Sequence, residues 1–203
     1  MTNNKHNNLH LKALKLSYFT VVYNIVECIV SITAGFLAGS TALLGFGSDS
    51  LVESLSGTIM IWRFRKYGFL SEAEEEKIEK KATLLVGITF FIFGIYILYE
   101  SIRKLLVAEE PEPSFIGIII AIASIIVMPV LFYSKYKTGK SLGSMSLVAD
   151  SKQTLACLFM SVSLLIGLGL NYLVGFWQAD PIIGLIIVGF LFKEGYEIIF
   201  KDE

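Results

Sequence analysis

Apolar and polar positions alternate along this chain in long blocks rather than short periods. A first apolar run extends from about Leu14 to Leu37 and contains Asn24 and Glu27. After a short break at residues 38–41, a second run carries Asp49 and Glu53 and ends at Trp62. The most charged stretch follows, RFRKYG and then SEAEEEKIEKK, before a third run over Ala82–Ser101. The segment AEEPEPS predicts a turn, and a fourth run, Phe115–Tyr133, contains Pro129. KYKTGKSLGS reads as a short basic linker. The fifth run covers Met145–Val174, GFWQADP predicts another turn, and a sixth run closes the sequence at KEGYEIIFKDE. Each run is long enough for a helix across a bilayer, which takes roughly 20 apolar residues. The ten-residue alternation of a membrane barrel is absent. The pattern predicts an all-α membrane protein, a six-transmembrane-helix bundle preceded by a polar tail at residues 1–13.

Composition agrees. Of 203 residues, 54% are hydrophobic and 17% charged, against about 25% charged in a soluble domain. Six spans leave little chain for a folded soluble domain. A net charge of -1 gives no footprint for nucleic acid. Cys28 and Cys157 both lie in apolar runs, so no disulfide framework is indicated. The N-terminus has no short apolar core with a cleavage site, so the first span is expected to direct insertion. Lys and Arg gather at the N-terminus, after spans two and four, and at the C-terminus; by the positive-inside rule both termini face the cytoplasm. A multi-pass protein of a prokaryotic plasma membrane fits this reading.

The chemistry centres on two strings. In GSTALLGFGSDSLVE (39–53), Asp49 and Glu53 stand four residues apart, on one face of a helix. Two acids in apolar surroundings are costly unless a cation joins them. GSMSLVADSKQTLAC (143–157) overlays this string with four identities in fifteen positions, matching Asp49 to Gln153 and Glu53 to Cys157. Spans two and five run in opposite directions, and related elements meeting near mid-membrane are common in secondary transporters. Facing each other, Asp49, Glu53, Gln153 and Cys157 would make a cage for a divalent cation. The thiol favours softer ions such as Zn2+ or Cd2+ over Mg2+ and Ca2+, with Co2+, Mn2+ and Fe2+ as lesser candidates. Protons compete with metal for these groups, the linkage that metal/proton exchange requires.

Blander roles stand beside these. An isolated cysteine in a membrane helix usually just packs, as expected for Cys28. Gln153 alone would suit a helix–helix hydrogen bond. Lys152 is the one cation of the fifth span that would make Asp49 and Glu53 a structural ion pair. Glu27, Asn24 and Asp150 are candidates for an accessory ion or proton path, with helix anchoring as the alternative for Asp150. His6 and His10 would collect metal at the cytoplasmic mouth or simply be solvated. Gly35 and Gly39 form a small-xxx-small pattern. No Ser/His dyad or paired-histidine motif lies within the spans, so an enzyme is not expected.

The two strings, together with ADPIIGLIIVGFLFKEGYEI at the last span, resemble the cation diffusion facilitator family over nearly the whole chain. The resemblance implies six helices with cytoplasmic ends, homodimers, and a metal site of two residues spaced i, i+4 on each of the second and fifth helices. By position these are Asp49 and Glu53, then Gln153 and Cys157. Many members carry His then Asp in the second pair, so this chain departs there. It also stops just after the sixth span, where most members continue into a soluble metal-sensing domain. The implied function is Zn2+ or Cd2+ efflux in exchange for protons by alternating access. The alternative is a non-transporting scaffold or partner subunit on the same fold, with a degenerate site.

Overall fold

A computed structural model of the chain describes residues 2–38, 41–66, 72–107, 115–174 and 178–200. These form six helices: α1 (Thr2–Ala38), α2 (Thr41–Arg65), α3 (Glu72–Val107), α4 (Phe115–Leu142), α5 (Met145–Val174) and α6 (Ala179–Phe200). Each predicted run becomes one helix. The turns read at AEEPEPS and around Trp177, as well as Gly39, lie outside the described residues. Among the described residues three helices are long and apolar enough to cross a membrane by length and composition: His6–Leu37, Ala73–Val107 and Phe115–Leu142. The second helix is diluted by its buried polar residues, Ser50, Ser54 and Ser56 beside Asp49 and Glu53.

Two boundaries move outward from the sequence reading. The 37 residues of α1 include nearly all of the polar tail; at 1.5 Å per residue this helix is about 55 Å long, well beyond a hydrocarbon core of about 30 Å. The basic linker after the fourth run is helix too. Its residues Lys135, Thr138 and Gly139 extend a buried stripe that begins at Gly117 and passes through Ala121, Ser124, Met128 and Leu131. The helix stops at Gly143, whose φ of 67° is a left-handed conformation suited to glycine. Gly143 N–H donates to the Lys140 carbonyl and Ser144 N–H to that of Gly139. Ser144 then caps α5, its hydroxyl accepting from Leu147 N–H at 3.2 Å. Glu79 on α3 accepts from the Ser146 N–H at 2.9 Å and pairs with Arg63 on α2, tying three helices at this end.

The α1–α2, α3–α6 and α4–α5 pairs run antiparallel. On the α1–α2 seam Gly57 meets Thr20 and Val21, whereas Gly47 meets Cys28 and Ile32. A Cβ at Gly47 would sit 2.7 Å from Ile32, so the close approach requires the missing side chain. On the α3–α6 seam Gly184 faces Ser101 and Gly87 faces Ile199. On the α4–α5 seam Gly139 faces Val148. The bundle therefore has a proximal end, where α1 begins and α6 finishes, and a distal end. An apolar cluster built from Val86, Phe90, Phe93, Leu147, Ala156 and Leu191 joins α3, α5 and α6. A smaller one, Phe46 with Ile120, Ala121 and Leu164, joins α2, α4 and α5 towards the distal end. Between them lies a polar layer.

Candidate ion site

Asp49 and Glu53 point inward from α2, one helical turn apart and both buried. Across from them α5 presents Asp150, Gln153, Thr154 and Cys157, also buried. The antiparallel register is set by Ser56 against Asp150, Glu53 against Thr154, and Phe46 with Leu164. Glu53 Oε1 accepts the Thr154 hydroxyl at 2.7 Å. Glu53 Oε2 is buried without a hydrogen-bond partner among the described residues. The Cys157 thiol lies beside Glu53 and within the field of Asp49. Gln153, next to Thr154 on α5, turns towards α3: its Oε1 accepts the Thr89 hydroxyl at 2.8 Å, and its Nε2 is buried with no hydrogen-bond partner among the described residues. Glu53 thus meets Thr154 and Cys157. Among the described residues, no three His, Cys, Asp or Glu side chains come together closely enough to hold a metal ion.

The two sides of Glu53 differ. Distally, a cleft of about 40 Å³ reaches Asp49 past Tyr96, Glu100, Lys104 and Met160. That volume suffices for a water or a small ion, since one water needs about 10–15 Å³ by the same kind of measure. Proximally the space is filled. Asp150 Oδ1 accepts the Ser56 hydroxyl at 2.6 Å, and Asp150 Oδ2 lies 2.9 Å from Lys135 Nζ. Lys135 also donates to Thr154 Oγ1 at 2.9 Å. Lys135 and Asp150 are both 0% exposed.

Lys135 is the main correction to the sequence reading, which placed it in a short basic linker. Lys152, considered there as the partner of the α2 acids, pairs with Glu194 on α6. The buried cation near Glu53 comes from α4. Its signal was in the sequence: Lys135 continues the spacing of Ala121, Ser124, Met128 and Leu131, and a basic residue on an apolar stripe has to find a buried partner. Thr154, Ser56 and Thr89 carried no such signal, because hydroxyls are common in membrane helices.

Glu27 makes a separate cluster. Ser50 of α2 donates to its Oε2 at 2.7 Å, Tyr23 donates to Oε1 at 3.3 Å, and Ser124 of α4 donates to Oε1 as well. Asn24, one turn earlier on α1, is fully buried, with neither amide atom hydrogen-bonded among the described residues. The α1–α2 contacts at Gly47 and Gly57 bracket it at the level of Glu53. At the proximal end, His6 and His10 approach through their Nε2 atoms at 3.3 Å, and the His10 ring packs edge-on against Phe64.

The described arrangement is a layer of buried carboxylates, amides, hydroxyls and one thiol inside an apolar bundle, with several polar atoms left open. Known proteins resemble the chain in sequence. The pattern of the cation efflux transmembrane domain matches residues 17–202. Transmembrane protein 163 of Xenopus laevis is 24% identical over 193 residues, covering 95% of this chain and 68% of its own length. A cadmium, cobalt and zinc/H(+)-K(+) antiporter of Bacillus subtilis is 22% identical over 204 residues, covering 98% and 64%. An uncharacterized transporter of Synechocystis is 26% identical over 153 residues, covering 73% and 49%. The chain thus spans about half to two thirds of the length of these relatives.

Proposed function

Because this chain belongs to the cation efflux transmembrane domain family, a family of carriers rather than enzymes, we propose that it exports a divalent cation in exchange for protons. Asp49, Glu53, Gln153 and Cys157 are the ligands in this reading, with Zn2+ or Cd2+ as cargo. The observation that carries it is the carboxylate of Glu53: one oxygen is held by Thr154, and the other is buried with no hydrogen-bonded oxygen or nitrogen among the described residues, the Cys157 thiol lying beside the carboxylate. Burying an acceptor without a partner costs about 1–3 kcal/mol, a cost that an incoming cation or proton removes. Rotation of the Gln153 side-chain amide would turn its oxygen to the ion.

Exchange follows from competition. Asp49 and Glu53 hold either protons or metal, so arrival of the ion releases protons and acidity drives it off. The distal cleft at Asp49 and the filled proximal side give the asymmetry expected of one state of an alternating-access carrier. In the proposed topology the proximal end is cytoplasmic, as the Lys- and Arg-rich segments at that end favour. A homodimer through membrane helices completes the reading. Glu27 has an accessory role at most, since its oxygens are already engaged.

Metal uptake by inside-out vesicles under an imposed pH gradient tests the proposal. Wild type is expected to accumulate Zn2+ or Cd2+, and Asp49→Ala to abolish uptake. Wild-type protein that neither binds metal nor moves protons in response to it would establish the scaffold reading instead.

A further inference from the structure

A lysine with no exposed surface has to be held by acceptors on every side that matters, and Lys135 is held by two: Asp150 Oδ2 and Thr154 Oγ1, each at 2.9 Å. An ammonium has only protons to give. Thr154 must therefore accept from it, and the single Thr154 proton is left for another acceptor. Glu53 Oε1 stands 2.7 Å away, closer than the alternative, the Asp150 carbonyl at 3.4 Å. The direction of the chain is fixed from Lys135 N–H through Thr154 O–H to Glu53, linking α4, α5 and α2. Ser56, donating to Asp150 Oδ1 at 2.6 Å, occupies the other oxygen of the lysine's counter-ion.

From this polarity we infer that Lys135 is a positioning residue of the ion site: acting through Thr154, it commits Glu53 Oε1 as an acceptor and presents Oε2 to the transported cation. The inference rests on the proposed metal site and adds to it the group that orients its central ligand. Without the ammonium, the Thr154 hydroxyl is free to turn to the Asp150 carbonyl, the ordinary i−4 acceptor of a helical threonine. Glu53 then loses its donor and rotates. A supporting partner of a metal ligand typically contributes about 10–100-fold in affinity.

The test uses the full chain in detergent, in a Cys28→Ala background, with Cd2+ alone as probe. Thr154→Val cuts the link and leaves the Lys135–Asp150 pair intact; it is expected to weaken Cd2+ binding by about tenfold. Thr154→Ser restores the hydroxyl and the affinity. The double change Lys135→Met with Asp150→Asn removes the charges together and is expected to match Thr154→Val. Adding Thr154→Val to that pair produces no further loss, because residues on one path are not additive. Wild-type affinity in Thr154→Val, or losses that multiply in the triple variant, would overturn the inference. A second readout needs no metal: the alkylation rate of Cys157 by a small thiol reagent reports the position of Glu53 beside it. That rate is expected to change alike in Thr154→Val and in the double variant, and to return in Thr154→Ser. If wild type binds no Cd2+, the transport reading fails while the alkylation series still decides this one; equal rates in all variants overturn it.

Discussion

Two glutamates lie at the heart of the bundle, and their surroundings are opposite. Glu27 receives hydroxyls from three helices, on both of its oxygens. Among the described residues Glu53 receives one hydroxyl on one oxygen, and its other oxygen has none. The first is a completed structural node between α1, α2 and α4. The second is an unfinished one, and in an apolar interior an unfinished acceptor waits for a ligand. An acid inside a membrane helix marks an ion path by default; the comparison shows that the default needs a count of donors before it is applied. By that count, in the proposed reading, Glu27 supports the site and Glu53 is one of its ligands.

The largest effects separate the two acids directly. Glu53→Gln removes the charge at the open oxygen and is expected to weaken Cd2+ binding beyond the roughly 10–100-fold range of supporting residues. Glu27→Gln is expected to leave that affinity within about threefold, yet to destabilise the detergent-solubilised protein by about 1.5–3 kcal/mol, the usual worth of hydrogen bonds to a charged group. Isothermal titration and thermal melting on the same preparations measure both. Equal losses of affinity in the two variants would break the comparison.

Lys135→Met alone probes the proximal side of Glu53. It leaves Asp150 buried and unbalanced, with Ser56 as its remaining side-chain donor. Breaking a buried pair from one side costs about 3–5 kcal/mol, most of it relieved when the partner is neutralised too. The melting temperature is therefore expected to fall in Lys135→Met and to recover in Lys135→Met/Asp150→Asn. A fall that the second change does not relieve would mean that Lys135 matters for packing alone.

The sequence made the helices legible because each is a long apolar run, and it made the α2 acids legible because carboxylates are rare in such runs. It misplaced Lys135 for a physical reason. Basic residues near a helix end normally snorkel to water, so a lysine past Tyr133 reads as a loop unless its stripe is followed through Met128 and Leu131. The side-chain partners across α2 and α5 were less legible: Glu53 bonds to Thr154, whereas Gln153, one residue away on α5, bonds to Thr89 of α3. Periodicity gives the face of a helix, but which neighbour a buried side chain bonds to depends on how several helices cross, which no single span encodes.

In the proposed reading the finest distinction within the Glu53 cluster is which ion completes it, and there it falls to Cys157. The thiol sits beside the carboxylate, on the helix opposite Asp49. A sulfur ligand adds most to a soft ion, and oxygen ligands discriminate less. Cys157→Ser keeps the size and a polar atom while replacing sulfur by oxygen. It is expected to lower the preference for Cd2+ over Zn2+ by about tenfold, equivalent to about 1.4 kcal/mol, with a smaller change in Zn2+ affinity itself. Competition between the two ions for one preparation measures the ratio and cancels any general loss of stability. An unchanged ratio would remove Cys157 from the ligand set and leave the open Glu53 oxygen with Asp49 as the core of the site.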